Sequence, residues 1–573
     1  MPDIQHCLQG RDLGFLRIVA LFWGLELDAP DARVGLQRLA PMLLDQDQLM
    51  ETLAALPGGA GQALDDLLRS DGRLPWALFT RRYGQVREMG AARRDRERPY
   101  ENTHANAAEA LWYRALIGRA FFETPDGAEE LAYIPDDLLE LMPAAGPEDD
   151  RPLGRLATPA EREYILPASD WILDDAATLL AALRLGGLPG GEAADIRALL
   201  PGPQAAALTP LSPSLPALQG LLAAAGLLDA QGMPLPDPAR RFLEASRGEA
   251  LSLLLRGWLH AADFNELLLL PGLAAEGEWR NDPLRARQAV LDFLSGVPGG
   301  LPAPGRPAER PWCSLNAFIQ AVKQLAPDFQ RPAGDYDSWF LRDLASGAYL
   351  RGFEHWERVE GDLLRYLVAG VLHWLGVTEI ALPEAPRPGQ RLPVTAFRFS
   401  DWAADLLALN PPAGLAEESE TLQVTSDGRV LAPRLAPRSV RYQIARFCAW
   451  EGFAQDSYRY RLTPESLEKA RSQGLQVRHL LVLLRRGARA VPPGLVQALE
   501  RWEAQGSQAR LERISVLRVK DPAILQALKS SKAGRFLGEP LGTAAVIVRA
   551  GAWDKVAAAL AELGYLAEVE IEK

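Results

Sequence analysis

The sequence predicts a mainly α-helical protein in which tandem winged-helix units, each a helix-turn-helix pair with a small β-wing, precede a small C-terminal α/β domain. Three observations predict this fold class. Apolar residues recur at helical spacing along most of the chain. Strands and helices alternate after Arg513. A helix, a glycine, a strand-like segment and a new helix follow one another four times, around Gly118, Gly226, Gly376 and Gly452.

The repeated order also has a simpler interpretation, because helix, glycine and strand follow one another in many proteins. Unequal intervals between the four glycines exclude a solenoid. A run rich in proline and glycine at 296–305 predicts a linker. The predicted divisions are an N-terminal helical region (1–70), winged-helix-like units at 71–142, 160–295 and 306–410, a basic winged-helix module at 420–505, and a small α/β domain at 508–573.

Composition limits the classes of function. The 573 residues are 48% hydrophobic and 24% charged, which is typical of a chain with several globular cores. Three scattered cysteines and the absence of a recognisable signal or apolar span predict a cytoplasmic protein that is not associated with a membrane. Association with the nucleoid is expected only through the DNA-binding candidates described below. Because the net charge is −12, any contact with nucleic acid must be local.

The N-terminal region begins with helices and continues into a basic segment. Apolar residues between Leu13 and Leu25 form one broad helical face, and Pro57 begins a helix-breaking run. Between Arg73 and Arg119, ten arginines stand against five acids. Either these arginines contact phosphates, or they pair with the Asp and Glu residues beside them. The candidates for DNA contact in this segment are Arg81, Arg82, Arg93 and Arg94.

The segment that follows is acidic, with ten Asp or Glu and no Lys or Arg between Glu123 and Asp150. This surface should repel DNA. Its clustered carboxylates could hold a cation or serve only as an acidic surface or linker. The two units between 160 and 410 show helical apolar spacing and a strand-like Phe397–Phe399, without a motif that indicates chemistry.

The basic module has the turn, helix-start and helix-end signals of a helix-turn-helix. Asp427-Gly428 predicts a hairpin, and the alternation of aromatic and basic residues at 458–462 predicts a half-buried strand. Thr463-Pro464 is a typical helix start, since Thr caps the first turn and Pro lacks only an unneeded donor. That helix should end near Gly474. The second helix should bury a stripe formed by Val477, Leu480, Leu481 and Leu484.

Charge makes this module the strongest candidate for DNA binding. Thirteen Lys or Arg residues stand against four acids from Arg429 to Arg489, although a solvated basic face that balances acidic neighbours is the alternative. Arg478 and Arg485 share one flank of the buried stripe and are best placed to read bases. The candidates for DNA contact are Arg441, Arg446, Arg459, Arg461, Arg471, Arg478, Arg485 and Arg486.

In the C-terminal region, predicted strands and helices alternate. Alternating patterns predict strands at 513–519, 544–548 and 566–571, with helices at 521–530 and 553–563 between them. This order predicts the small α/β domain.

The phrase Leu-Thr-Pro-Glu-Ser-Leu at 462–467, the following helix and the Pro492-Pro493 pair resemble the XPB-type helicase N-terminal or helicase-associated domain family of bacterial proteins. The resemblance runs from Asp427 to the C-terminus. It implies a winged-helix architecture and a DNA-linked role beside a separately encoded helicase. It implies no catalytic residues, because the family has none of its own to carry over.

The sequence also departs from a helicase. A P-loop needs a Gly-Lys pair, and none of the seven lysines follows a glycine. There is no Asp-Glu dipeptide, no histidine pair at metal-ligand spacing and no nucleophile elbow. We therefore expect no enzyme activity, cofactor or metal. The predicted function is that of a DNA-binding accessory protein in repair or transcription. The alternative is a protein-interaction scaffold that recruits a basic partner through the acidic remainder of the chain.

Overall fold

The computed structural model describes residues 2–57, 59–101, 105–124, 127–143, 152–186, 213–304, 310–332, 334–387, 393–509 and 514–570. The chain forms two compact units. The first contains residues 1–474 and 478–492, and the second contains 475–477 and 493–573. About 47% of the structure is helical, and the described strands form five small antiparallel sheets. The fold class is therefore mixed α/β, less purely helical than the sequence predicts.

The first unit begins with the predicted helices. Four of them start at an aspartate, because the side chains of Asp3, Asp12, Asp31 and Asp45 each accept a hydrogen bond from a backbone N–H of the first turn. Buried leucines and aromatic residues join these helices in one core. The helices are α1 (Ile4–Leu8), α2 (Leu13–Phe22), α3 (Ala32–Met42), α4 (Gln46–Ala54) and α5 (Ala60–Arg69).

A three-stranded sheet follows in the same core. Its order is β1–β3–β2, and all of its pairs are antiparallel. Gly118 faces Tyr133 across the pair, where a Cβ on the glycine would lie 2.5 Å from the tyrosine ring. Glycine is required at position 118 because the Tyr133 ring leaves no room for a Cβ atom. The elements are β1 (Arg73–Pro75), α6 (Trp76–Tyr83), α7 (Ala91–Glu97), α8 (Ala107–Trp112), β2 (Gly118–Thr124), β3 (Gly127–Tyr133) and α9 (Asp136–Leu139).

Residues 152–410 form the largest core, which contains a four-stranded sheet in the order β4–β8–β9–β6 and a two-stranded sheet of β5 and β7. Two π-helical turns, Glu357–Gly361 and Leu367–Val371, interrupt its central helix. The strands are β4 (Tyr164–Leu166), β5 (Leu273–Ala275), β6 (Cys313–Ser314), β7 (Leu341–Asp343), β8 (Thr378–Leu382) and β9 (Ala396–Phe399). The helices are α10 (Trp171–Arg184), α11 (Leu215–Ala224), α12 (Pro236–Glu244), α13 (Arg247–His260), α14 (Pro283–Ser295), α15 (Leu315–Leu325), α16 (Asp362–Tyr366), α17 (Leu372–Trp374) and α18 (Ala403–Leu407).

The structure corrects the predicted repeat. Gly226 and Gly376 do follow helix ends, with φ of 69° and 77°. Gly118, however, is the first residue of β2, and Gly452 lies beside a bulge in a strand. The two exceptions arise because close strand packing and a bulge also favour glycine. The four glycines therefore do not mark four copies of one unit.

The basic segment contains a sheet in the order β10–β11–β13–β12, followed by a helix pair. Gln455 and Asp456, both at positive φ, form the tight turn between β12 and β13. The predicted alternation is confirmed, because Tyr458 and Tyr460 are buried while the arginines between and after them point to the other face. The elements are β10 (Gln423–Val424), β11 (Arg429–Pro433), α19 (Arg438–Ala445), β12 (Ala449–Ala454), β13 (Ser457–Arg461), α20 (Pro464–Ser472) and α21 (Val477–Gly487).

The predicted helix-turn-helix is present as α20, a short connection and α21. The Thr463 hydroxyl accepts a hydrogen bond from the Ser466 N–H at 3.1 Å, and the Ser466 side chain reaches back to the Thr463 N–H. Gly474, with φ of 77°, lies in the connection. The predicted stripe on α21 is buried: Val477, Leu480, Leu481 and Leu484.

The second unit contains an antiparallel sheet in the order β14–β16–β15. Its third strand is Leu537–Pro540, not the predicted 566–571, of which the described residues up to 570 form no strand. Both edges of β16 are already taken by the other two strands, and Leu566 is 97% exposed. The elements are α22 (Pro493–Gln505), β14 (Ser515–Arg518), α23 (Pro522–Ser530), β15 (Leu537–Pro540), β16 (Ala545–Val548) and α24 (Trp553–Glu562).

Candidate nucleic-acid interface

Helix α21 presents a row of exposed arginines. Arg478, Arg485 and Arg486 are exposed, and none of them forms an ion pair with a described residue. The helix is held from beneath by its buried stripe, and the Leu422 N–H donates to the Gly487 carbonyl at 2.8 Å. A Cβ on Gly487 would lie 2.9 Å from Val440, so glycine lets α21 approach α19 closely. The arginines therefore stand on a fixed support.

The preceding helix adds weaker positive charge. Arg471 on α20 pairs with Glu468 at 2.6 Å, and both side chains are more than half exposed. An exposed pair of this kind contributes little to stability, so a phosphate can replace the carboxylate at low cost. Arg471 is thus accessible but partly neutralised.

The hairpin of β12 and β13 has nearly balanced charge. Arg461 pairs with Glu451 across the two strands. The guanidinium of Arg459 donates to the side-chain oxygen of Gln455 at 3.2 Å and is half-buried. Arg459 and Arg461 thus lie at the surface but already interact with side chains of the same hairpin. The hairpin therefore offers fewer unpaired guanidinium groups than α21.

Arg441 lies inside the protein. Its guanidinium packs 3.8 Å above the Tyr458 ring and donates to the Thr178 hydroxyl at 2.7 Å and to the Asp174 carbonyl at 2.9 Å. The residue is 1% exposed. A guanidinium in this position offers no surface to a phosphate, so we leave Arg441 out of the interface.

Arg441 belongs to a buried network of charges that joins α10, α13 and the start of α19. Arg247 is its centre, with ion pairs to Asp170 at 2.5 Å, Asp174 at 2.6 Å and Glu418 at 3.0 Å. Although burial opposes its charge, Asp174 and Asp170 raise the pKa of Arg247 and keep it positive. Glu418 also pairs with the buried Arg438 at 2.6 Å. The network holds the basic segment against α10 and α13.

Asp175 lies at the edge of this network without a full set of partners. It is 5% exposed, and its Oδ1 atom accepts no hydrogen bond. Burial, reinforced by the negative Asp174, raises the pKa of Asp175 to about 8. The charges of Arg441 and Arg434 only partly oppose this shift.

The N-terminal candidates are mostly engaged with acids, but three of the four pair with acids distant in the sequence and not only with the neighbours that the alternative names. Arg81 pairs with Asp328 at 3.2 Å, and Arg82 pairs with Asp66 at 3.3 Å. Arg94 is 3% exposed and pairs with Asp12 at 2.6 Å. Arg93 is exposed but pairs with Glu97 at 2.8 Å. These arginines hold the N-terminal helices and their neighbours together.

Arg446, the remaining candidate, is half-buried and lines a pocket with Arg184, Arg240 and Arg486. Sequence patterns do not single out Arg184 and Arg240, because four elements distant in the chain assemble this pocket.

Three further findings concern the described ranges. These ranges contain no group of three or more His, Cys, Asp or Glu side chains that is placed to hold a metal ion. His373 is buried beside the Thr378 carbonyl at 2.9 Å, and burial lowers its pKa to about 4, so it is neutral. No described helix combines the length and the apolar character that crossing a membrane requires.

Comparison with known families places a match on this part of the chain. The model for the helicase conserved C-terminal domain matches residues 422–539, from the start of the basic sheet into the second unit. No curated protein matches the chain. A helicase domain is commonly associated with nucleic acid. Residues 422–539 are thus similar to the conserved C-terminal domain of helicases, which suggests a helicase-associated role.

Proposed function

We propose that the chain is a non-catalytic DNA-binding accessory protein of the XPB-type helicase-associated kind, which acts with a separately encoded helicase. The exposed arginines Arg478, Arg485 and Arg486 on α21 carry this proposal. They lie on the second helix of a helix-turn-helix, inside the segment that resembles a helicase domain. Phosphates are the ligands that such unpaired, exposed guanidinium groups bind best.

The spacing of the arginines suits a duplex. Arg478 and Arg485 are two helical turns apart, which corresponds to about 10 Å along the helix axis. The major groove of B-DNA is about 12 Å wide and admits an α-helix. With α21 in or beside the groove, these two side chains would meet separate phosphates, or one phosphate and one base edge.

The winged-helix fold is part of the proposal. Residues 60–133 follow the order helix, strand, helices, strand, strand, with a sheet in the order β1–β3–β2. This order supports a winged helix in the N-terminal region. In the basic segment the hairpin precedes the helix pair, so there the wing would lie on the N-terminal side of the recognition helix.

The test uses the full chain, because a fragment covering 420–505 would expose Arg438 and Arg441 that are buried in the intact protein. Fluorescence anisotropy with duplex and single-stranded DNA at 50 and 200 mM salt compares wild type with Arg478→Glu/Arg485→Glu. We expect the logarithm of the wild-type affinity to fall with the logarithm of salt concentration, by a slope of about −0.9 per phosphate contacted on duplex. We expect the double variant to bind at least about tenfold more weakly, since two attractive contacts become repulsive.

The matched control is Arg33→Glu/Arg38→Glu on α3, which changes the net charge equally at two exposed positions of another helix. It should bind DNA nearly as wild type does. Binding that ignores salt, or an equal loss in both double variants, would contradict the proposal. A scaffold is the rival function. Protein partners that remain bound after nuclease treatment, together with absent DNA binding, would favour it.

A further inference from the structure

A pocket lined by arginines lies beside the proposed DNA-binding helix. It has a volume of about 430 Å³ and is formed by the C-terminal end of α10 with α12, α19 and α21, and every residue that lines it lies in the first unit. Four arginines contribute to its lining, one from or directly after each of these helices: Arg184, Arg240, Arg446 and Arg486. Glu244 is the one acidic residue in the lining. The pocket therefore carries a net positive charge.

The positive charges are poorly compensated. Arg184 and Arg486 form no ion pair with any residue that the structure describes. Arg240 pairs with Asp237 at 3.2 Å, but these side chains are 66% and 81% exposed, so the pair is weak. The exposed Glu244 pairs with no described cation.

Arg446 is the most enclosed cation of the four. One of its terminal nitrogens donates to the Gln443 side chain at 3.1 Å, whereas its Nε is buried and has no hydrogen-bond acceptor. Burial lowers the pKa of Arg446, and the nearby positive charge of Arg184 adds to this effect. Because its Nε is inaccessible, an anion in the pocket would meet the Arg446 guanidinium through its terminal N–H groups, and the negative charge there would offset the desolvation of this cation.

The chemistry of the lining favours phosphate. Guanidinium groups bind phosphate oxygens through paired hydrogen bonds, and four of them exceed what one carboxylate can neutralise. Leu243, Val440 and Leu483 line the pocket as well, so part of the site excludes water and strengthens charge interactions. The Tyr442 hydroxyl adds a donor to the same lining.

We propose that this pocket binds a phosphate monoester or free phosphate, with Arg446 as the central donor and Arg184 and Arg486 as its clamps. Arg486 follows Arg485 on α21, so a DNA strand that ends at Arg485 would place its terminal phosphate near the pocket. The proposal that the pocket receives the phosphate of a DNA end rests on the proposed DNA binding, whereas the proposal that the pocket binds phosphate does not.

The test measures the thermal unfolding of the full chain in inorganic phosphate and in chloride of equal ionic strength. Phosphate should raise the Tm of wild type, because a ligand that binds only the folded state stabilises it. The raise should be clearly smaller in Arg184→Gln/Arg486→Gln, which keeps only the general stabilisation that phosphate gives to folded proteins and whose two substituted side chains are exposed, so that folding is retained. Arg478→Gln/Arg485→Gln, the matched control on α21, should keep it. No raise in wild type, or an equal raise in the pocket variant, overturns the proposal.

A second arm identifies the source of the phosphate. Duplexes of one sequence with a 5′-phosphate or a 5′-hydroxyl are titrated with the same three proteins. Wild type should bind the phosphorylated end at least threefold more tightly, and the pocket variant should lose this preference. If phosphate raises the Tm of wild type but wild type does not prefer the 5′-phosphorylated duplex, the pocket is assigned to free phosphate. Failure of DNA binding with a retained Tm raise contradicts the proposed function and leaves the phosphate site supported.

Discussion

At the scale of single residues, chemically identical side chains take opposite roles. Arg441 is buried against the Tyr458 ring, while Arg478 is exposed on α21. The sequence shows both as arginines in one basic run. What separates them is the position of Asp174 and Thr178, more than 250 residues earlier in the chain. No local pattern reports contacts of that range, so a charge count overestimates the free charge of the segment.

Asp175 gives the sharpest prediction at this scale. An unfolded aspartate has a pKa near 3.9, whereas the pKa of folded Asp175 is about 8. Between these values the folded protein binds the extra proton, so the free energy of unfolding falls as pH rises from about 4 to about 8. The fall contributed by one group is at most about 1.4 kcal/mol per pH unit.

Asp175→Asn removes this dependence. Urea unfolding of both proteins from pH 5 to 9 should show the variant gaining stability relative to wild type as pH rises, with no further gain above the folded pKa. Other carboxyl groups cancel in the difference between the two proteins. A difference that stays constant with pH would show that Asp175 is already ionised in the folded state.

At the scale of elements, local signals predict well and distant pairing does not. Apolar spacing and Thr463-Pro464 identify α20 and α21, and alternation identifies β13, because each of these signals lies within the element itself. The strand Leu537–Pro540 has no such alternation and exists because β16 offers an edge to it. The arginine pocket is likewise a product of packing, since its four cations come from separate elements.

The cap of α20 can be tested as an element. Thr463→Ala removes the acceptor for the Ser466 N–H and should lower the free energy of unfolding by about 1 kcal/mol. Thr463→Ser keeps the hydroxyl and should change stability far less. Urea unfolding of the full chain measures both. Equal stability of the two variants would mean that the cap does not limit the stability of the helix pair.

At the scale of the whole molecule, buried charge joins the segment similar to a helicase domain to the helices that precede it. Asp170, directly before α10, forms ion pairs with an arginine of α13 and with Arg434, directly after β11. Glu418 forms an ion pair with an arginine of α19. Such a network is a weak source of stability but fixes which surfaces meet, because each missing partner leaves a charge buried alone. It sets the orientation of α19, and α19 supports α21.

Arg247→Met tests whether this charge network holds the basic segment in place. It leaves Asp170 and Asp174 without their central partner, so we expect urea unfolding to show a loss of about 3–5 kcal/mol. Arg256→Met, on the exposed face of the same helix, is the matched control and should cost less than about 1 kcal/mol. DNA affinity of the folded Arg247→Met protein should also fall, because α21 loses its fixed support. A stable variant with unchanged affinity would show that apolar packing alone positions the basic segment.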